Sequence, residues 1–126
     1  MFGQTISPDG KLIAYFYRAP ELNAPLQIEV INVEGNSLVK TLGISPNAAY
    51  LRWSPNGRAL NYVEMNDGAA NIWSLPVDGG KPTQLTNWKT DQFLVYEWSR
   101  DGKQLALARG TITNDVVLIS NFKDQQ

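Results

Sequence analysis

Neither cysteine nor histidine occurs among the 126 residues. Their absence removes disulfides, thiolate nucleophiles, every Ser-His-Asp or Cys-His relay and the commonest zinc ligand sets. Strong charge of one sign is missing too, since 11 Lys and Arg against 12 Asp and Glu leave a formal net charge of -1. The basic residues are scattered from Lys11 to Lys123 with no stripe to neutralise a run of phosphates, which excludes nucleic acid as an expected partner. No apolar run approaches the roughly 18 residues of a membrane span. Met1-Phe2-Gly3-Gln4-Thr5 lacks the basic and apolar regions of a secretory signal. These absences predict a soluble chain, cytoplasmic or periplasmic, with no membrane insertion. No Gly-rich phosphate loop and no cluster of carboxylates is present, so no catalytic residue, cofactor or metal is expected. A helical period uninterrupted by Gly or Pro is also lacking, which leaves an all-β chain.

What the sequence does contain is one phrase written three times. Ser7-Pro8-Asp9-Gly10-Lys11 returns as Ser54-Pro55-Asn56-Gly57-Arg58 and again as Ser99-Arg100-Asp101-Gly102-Lys103, at intervals of 47 and 45 residues. A period of that size accommodates four short strands joined by tight turns, the blade of a β-propeller. The phrase itself reads as a type I turn closed by a bulge. Pro presets φ, Asp or Asn bonds the nearby backbone, and Gly takes the left-handed conformation. Ser7, Pro8, Asp9, Gly10, Ser54, Pro55, Asn56, Gly57, Ser99, Asp101 and Gly102 are therefore assigned to structural turns. A calcium role for the aspartates is set aside, because Asn56 replaces them in the second repeat and no oxygen-rich loop adjoins them.

Apolar segments end at each turn serine (Phe2 to Ile6, Tyr50 to Trp53, Phe93 to Trp98), and β-rich runs follow it (Leu12 to Phe16, Leu60 to Val63, Leu105 to Ala108). Third strands are expected at Gln27 to Val33, Asn71 to Val77 and Asp115 to Ile119, and fourth strands at Ser37 to Leu42 and Pro82 to Thr86. The blades then run over about 2–43, 48–87 and 92–122, the third lacking its outer strand. A small sandwich or barrel using the same turn is the competing fold. Matching tryptophans Trp53 and Trp98, 45 residues apart, favour the propeller.

With these residues in view, the chain resembles the TolB-like, WD-repeat-like β-propellers, whose blade signature runs Trp-Ser-Pro-Asp-Gly-Lys, then Leu or Ile, Ala and an aromatic. Trp53-Ser54-Pro55-Asn56-Gly57-Arg58 and Trp98-Ser99-Arg100-Asp101-Gly102-Lys103 are close copies, and Ser7 to Tyr15 matches with Ile6 in place of the tryptophan. The resemblance implies a three-blade segment of a six-bladed ring, similar to the carboxyl-terminal half of a bacterial propeller. It also implies a non-catalytic module that binds a protein or small ligand within a multidomain sensor, kinase or regulator. Two alternatives are the gating propeller of a prolyl-oligopeptidase-type serine peptidase and a self-assembling propeller that binds small ligands such as sugars between its blades. Further blades of a longer chain, or a second copy in a homodimer, are expected to cover the open faces.

Variable loops on a rigid frame are where binding resides. The loops after each second strand and the connection Asn87-Trp88-Lys89-Thr90-Asp91 are expected at one end of the blades, which makes Arg18, Glu21, Asn23, Asn66, Asp67, Trp88, Lys89, Asp91, Thr111 and Asn114 the candidate binding surface. Trp88 is read either as an exposed aromatic anchor or as packing over the blade edge. Thr5, Arg52 and Glu97 hold equivalent first-strand positions, as lining of a central channel or, for the charged two, as an ion pair between blades.

Overall fold

The computed structural model describes residues 4–111 and 116–123, the last stretch and Phe93 by backbone alone. Phe2, Asn114 and Asp115 lie outside the described residues. Every regular element among the described residues is a β-strand. The first sheet is a meander of β1 (Gln4–Ile6), β2 (Leu12–Arg18), β3 (Leu26–Asn32) and β4 (Leu38–Gly43). The second repeats it with β5 (Ala48–Trp53), β6 (Ala59–Asn66), β7 (Ala69–Pro76) and β8 (Thr83–Gln84). The third comprises β9 (Phe93–Trp98), β10 (Gln104–Gly110) and β11 (Val116–Lys123). All neighbouring strands pair antiparallel.

The repeated phrase builds the same turn three times, atom for atom. Ser7 Oγ donates to Asp9 Oδ1 (2.6 Å) and accepts from the Leu12 amide (3.0 Å), while the Lys11 amide donates to the same aspartate oxygen (2.9 Å). Ser54 and Asn56 repeat this at 2.7, 3.1 and 2.9 Å, and Ser99 and Asp101 at 2.6, 3.1 and 3.0 Å. The glycines then take φ of +76°, +74° and +73°, a region in which a side chain is strained. Because Asn56 accepts the same bonds as the aspartates, charge is incidental to the geometry. It is not incidental to pH. The serine hydroxyls, followed by the backbone amides of Lys11 and Lys103, hold the carboxyls of Asp9 and Asp101 below the usual 3.8. Their contribution to stability is present above 3.8 and is lost as pH falls through the lower folded value. Asp9→Asn with Asp101→Asn should therefore flatten the acid limb of stability while leaving the neutral-pH midpoint unchanged. Urea midpoints between about pH 5 and about pH 2 test this, and an acid limb identical to the parent's refutes it.

Strand alternation sends two faces of the second sheet into two separate interfaces. Ala14, Ile28, Val30 and Leu42 of the first sheet meet Leu51, Trp53, Leu60, Tyr62 and Leu75 of the second. On the opposite face, Val63, Ala70 and Ile72 meet Leu94, Tyr96, Leu105 and Leu107 of the third sheet. Each fully buried side chain of this size contributes about 1.5–3 kcal/mol. Polar latches register the sheets. The Trp53 indole donates to the Thr5 carbonyl (3.1 Å), the Trp98 indole to Asn61 Oδ1 (3.0 Å), and the Tyr96 hydroxyl to the Tyr50 carbonyl (2.8 Å). Burial pushes the Tyr96 hydroxyl well above 10, so it remains a donor at neutral pH. At the turn end, a Cβ built on Gly57 would meet Pro8 at 3.8 Å and one on Gly102 would meet Pro55 at 2.7 Å. Gly57 and Gly102 thus lie against the proline of the preceding turn.

Local structure differs from the sequence reading in that β2 and β10 run on through Arg18 and Gly110, where loops were expected, and at three further places. The stretch 64–68, read as a loop, is a strand end closed by the two-residue turn Asp67-Gly68, with φ of +52° and +79°, the geometry of a tight hairpin. The fourth strand of the second sheet shrinks from the expected Pro82 to Thr86 to Thr83–Gln84 alone. β5 begins earlier than expected and carries a bulge between Ala49 and Arg52, where Tyr50 adopts φ +55°. At the outer boundary of the first sheet, Ile6 (60 % exposed) and Leu38 (57 %) remain open to solvent.

Candidate ligand pocket at the loop end of the second sheet

Antiparallel meanders place every first-to-second and third-to-fourth turn at one end and the remaining connections at the other. At this second end, the segment joining the second sheet to the third is bound to β7 by side chains in place of a full backbone ladder. Asn71, 7 % exposed, donates from Nδ2 to the Trp88 carbonyl (3.0 Å), and its Oδ1 accepts from the Trp88 amide (2.6 Å) and the Thr86 hydroxyl (2.9 Å). Thr86 Oγ1 accepts in turn from the Ile72 amide (2.9 Å), and the Ala70 amide donates to the Asp91 carbonyl (3.0 Å). One buried asparagine thereby replaces the strand that β8 does not continue.

The third sheet clamps the same segment. Arg109 on β10 sits 4.1 Å from the centre of the Trp88 ring, 3.1 Å from Asp91 Oδ2 and 3.3 Å from the Thr90 carbonyl. Both charged side chains are largely buried, at 14 % and 22 % exposure, and such a pair is screened far less than a surface pair. Trp88 therefore packs half-buried on the second interface beneath a guanidinium.

Between this segment, β7 and the Asp67-Gly68 hairpin lies a pocket of about 200 Å³ whose walls include Glu64, Asn66, Asp67, Trp73, Trp88 and Lys89. Asn66, Asp67, Trp88 and Lys89 of the sequence candidates converge here, although they come from two separate connections. The other candidates lie elsewhere. Arg18 donates to the Ala24 carbonyl (2.9 Å) and staples its own loop, which Asn23 turns with φ +63°. Glu21 and Thr111 are exposed, and Asn114 is outside the described residues. Arg52 Nε and Glu97 Oε1 stand 3.5 Å apart across the second and third sheets, and the carbonyl of Thr5 is taken up by Trp53. Sequence reasoning placed Glu64, Asn87 and Arg109 at this end without choosing them as site residues, and it missed Asn71, Trp73 and Gln84 as parts of it. The available signal was Asn71, a lone amide in the apolar run Ala69 to Leu75. Among the described residues no three carboxylates gather closely enough to hold a metal ion. Among the described residues no helix is long and apolar enough to cross a membrane.

No family model matches the chain. It is 29 % identical over 101 residues to Tricorn protease homolog 1 of Streptomyces coelicolor, which covers 80 % of this chain and 9 % of that protein. It is 27 % identical to Dipeptidyl-peptidase 5 of Porphyromonas endodontalis over 126 residues, 98 % of this chain and 17 % of that protein. A shorter match, 36 % identical over 56 residues, links 44 % of the chain to 13 % of the Tol-Pal system protein TolB of Francisella tularensis. The chain thus spans less than a fifth of the length of these curated relatives. Among solved structures, TolB from Acinetobacter baumannii superposes with a TM-score of 0.69 at 19 % identity, over 98 % of this chain and 30 % of that one. A prolyl endopeptidase gives 0.72 at 18 % identity over 99 % and 20 %, and the β-propeller domain of the Trilobed protease from Pyrococcus furiosus 0.59 at 17 % over 94 % and 41 %. The structural neighbours of this chain are TolB and other β-propeller domains, and its sheets have the fold of propeller blades.

Proposed function

We propose that the chain is a recognition segment of a longer protein: propeller blades that bind a partner or ligand at their loop end and contribute no catalytic residue or cofactor. The observation that supports this is the convergence of Asn66, Asp67, Trp88 and Lys89 on one pocket, held in a frame that Asn71 and Arg109 fix from two sides. Further blades, or a second copy of the chain, cover the open faces of the first and third sheets in this reading. The wider context is the propeller part of a peptidase-type protein. The match to Dipeptidyl-peptidase 5 over 98 % of the chain favours that context over a kinase or sensor.

Two measurements test the proposal. The purified 126-residue chain should turn over neither chromogenic dipeptides nor esters; turnover abolished by a single substitution would overturn the non-catalytic reading. In amide NMR titrations with short peptides and soluble saccharides as probes, shifts should gather at residues 64–69 and 84–91. Shifts confined to the Ser7, Ser54 and Ser99 turns, or none with either probe class, contradict the placement.

A further inference from the structure

The pocket beside Trp73 offers a particular set of bonds, and that set selects its ligand. Glu64 uses Oε2 to accept from Asn66 (2.6 Å) and Gln84 uses Nε2 to donate to the Thr86 carbonyl (2.7 Å). Those bonds orient the two side chains and leave Glu64 Oε1 and Gln84 Oε1 as acceptors with no protein donor among the described residues. Asn87 Oδ1 accepts from Lys89 Nζ (3.2 Å), which orients the asparagine and leaves its Nδ2 as a donor. Asp67, fixed in a two-residue turn, adds a further carboxylate at the wall. Interleaved donors and acceptors beside aromatic walls suit a ligand whose groups both donate and accept, each beside the next.

We propose that this pocket binds an uncharged pyranose, one sugar residue of a saccharide, with the Trp73 indole as its platform. Vicinal hydroxyls donate to Glu64, Asp67 and Gln84 and accept from Asn87 and Lys89, while the axial C–H face of the ring packs on the indole. The space of about 200 Å³ accepts one such ring and not a folded polypeptide. Charge argues against the alternatives: two carboxylates face one ammonium, so a phosphate or carboxylate ligand is repelled, and walls dominated by amides and charges give an acyl chain nothing to bury against. The frame is already set by Asn71 and by the Arg109 clamp on Trp88, so little ordering remains to be done on binding.

This inference rests on the recognition reading above, and its test separates the two. The 126-residue chain is titrated with glucose, galactose, mannose and N-acetylglucosamine, with glucose 6-phosphate as the charged control and a short peptide as the other ligand class. A neutral sugar is expected to give saturable shifts of the Trp73 indole N–H and the Asn87 side-chain amide in the millimolar range. Binding should fall about tenfold in Glu64→Gln and in Asn87→Ala, which lie in the wall and not in either core. Thermal midpoints of both variants equal to the parent's show that the fold is kept. No saturable shift with any neutral sugar up to about 100 mM overturns the proposal. So does tighter binding of glucose 6-phosphate, or unchanged binding in both variants. Peptide-induced shifts at 64–69 and 84–91 without sugar-induced ones overturn it as well, and leave the recognition reading standing.

Discussion

Gly102→Val is expected to destabilise the chain by about 3 kcal/mol or more, the largest loss of any single turn substitution. Two effects add at this position. The residue has φ +73°, where a β-branched side chain is strained by about 1–2 kcal/mol, and its first side-chain carbon would stand 2.7 Å from Pro55 Cβ. The repeat supplies its own controls. A Cβ at Gly57 meets Pro8 only at 3.8 Å and one at Gly10 meets nothing within 4 Å, although their φ angles are nearly the same. Urea unfolding should therefore rank the losses 102 above 57 and 57 at or above 10, and Pro55→Gly should recover part of the loss at 102 in a double-mutant cycle. Equal losses at all three turns would show that backbone strain alone acts and that the glycine-on-proline contact carries no energy.

Leu60→Ala comes next, at about 3 kcal/mol, because Leu60 is fully buried in the interface of the first and second sheets and leaves a cavity there. Leu105, 1 % exposed, occupies the corresponding place six residues after its own turn serine, in the other interface. The two substitutions should cost similar energy and act on different parts of the molecule. Stacked sheets touch only their neighbours, so each loss is borne first by the nearer interface. Hydrogen exchange in Leu60→Ala is expected to quicken at β2 and β3 while β10 keeps its protection, and Leu105→Ala should do the reverse. Uniform loss of protection in both variants would mean that the three sheets unfold as one unit.

The sequence made the turns legible because everything that forms them is local: Ser7, Asp9 and Gly10 bond within five residues of one another. Trp53 and Trp98 were legible as matching positions for the same reason, a repeat that sets each beside its turn; Trp53 is buried in the first interface and Trp98 half-buried against the second. What stayed hidden depends on partners far along the chain. Asn71 looked like a strand residue, and its amide holds Trp88, 17 positions on. Arg109 looked like a loop end, and it closes over a ring and a carboxylate supplied by the preceding connection. Trp88 stands out in the sequence as a large ring among Asn87, Lys89, Thr90 and Asp91, and only the fold shows that a guanidinium covers it. Asp67-Gly68 was visible and misread: a two-residue turn was taken into a longer loop because Asn66 and Glu64 are as polar as loop residues. Tyr50 offered no signal, since nothing in its neighbours announces a left-handed aromatic inside a strand.

The prolines of the first two turns also act as spacers. Pro8 and Pro55 set how near the next turn glycine comes, so the separation of adjacent sheets at that end is gauged by the thickness of one pyrrolidine ring. Arg100, the third counterpart, is exposed. The other end is built from hairpins and connections of differing length, so the second and third sheets are held there by single side chains, Arg109 over Trp88 and on Asp91, and not by a repeated ring. Spacing at the turn end is thus carried by the repeat, and spacing at the pocket end by residues outside it.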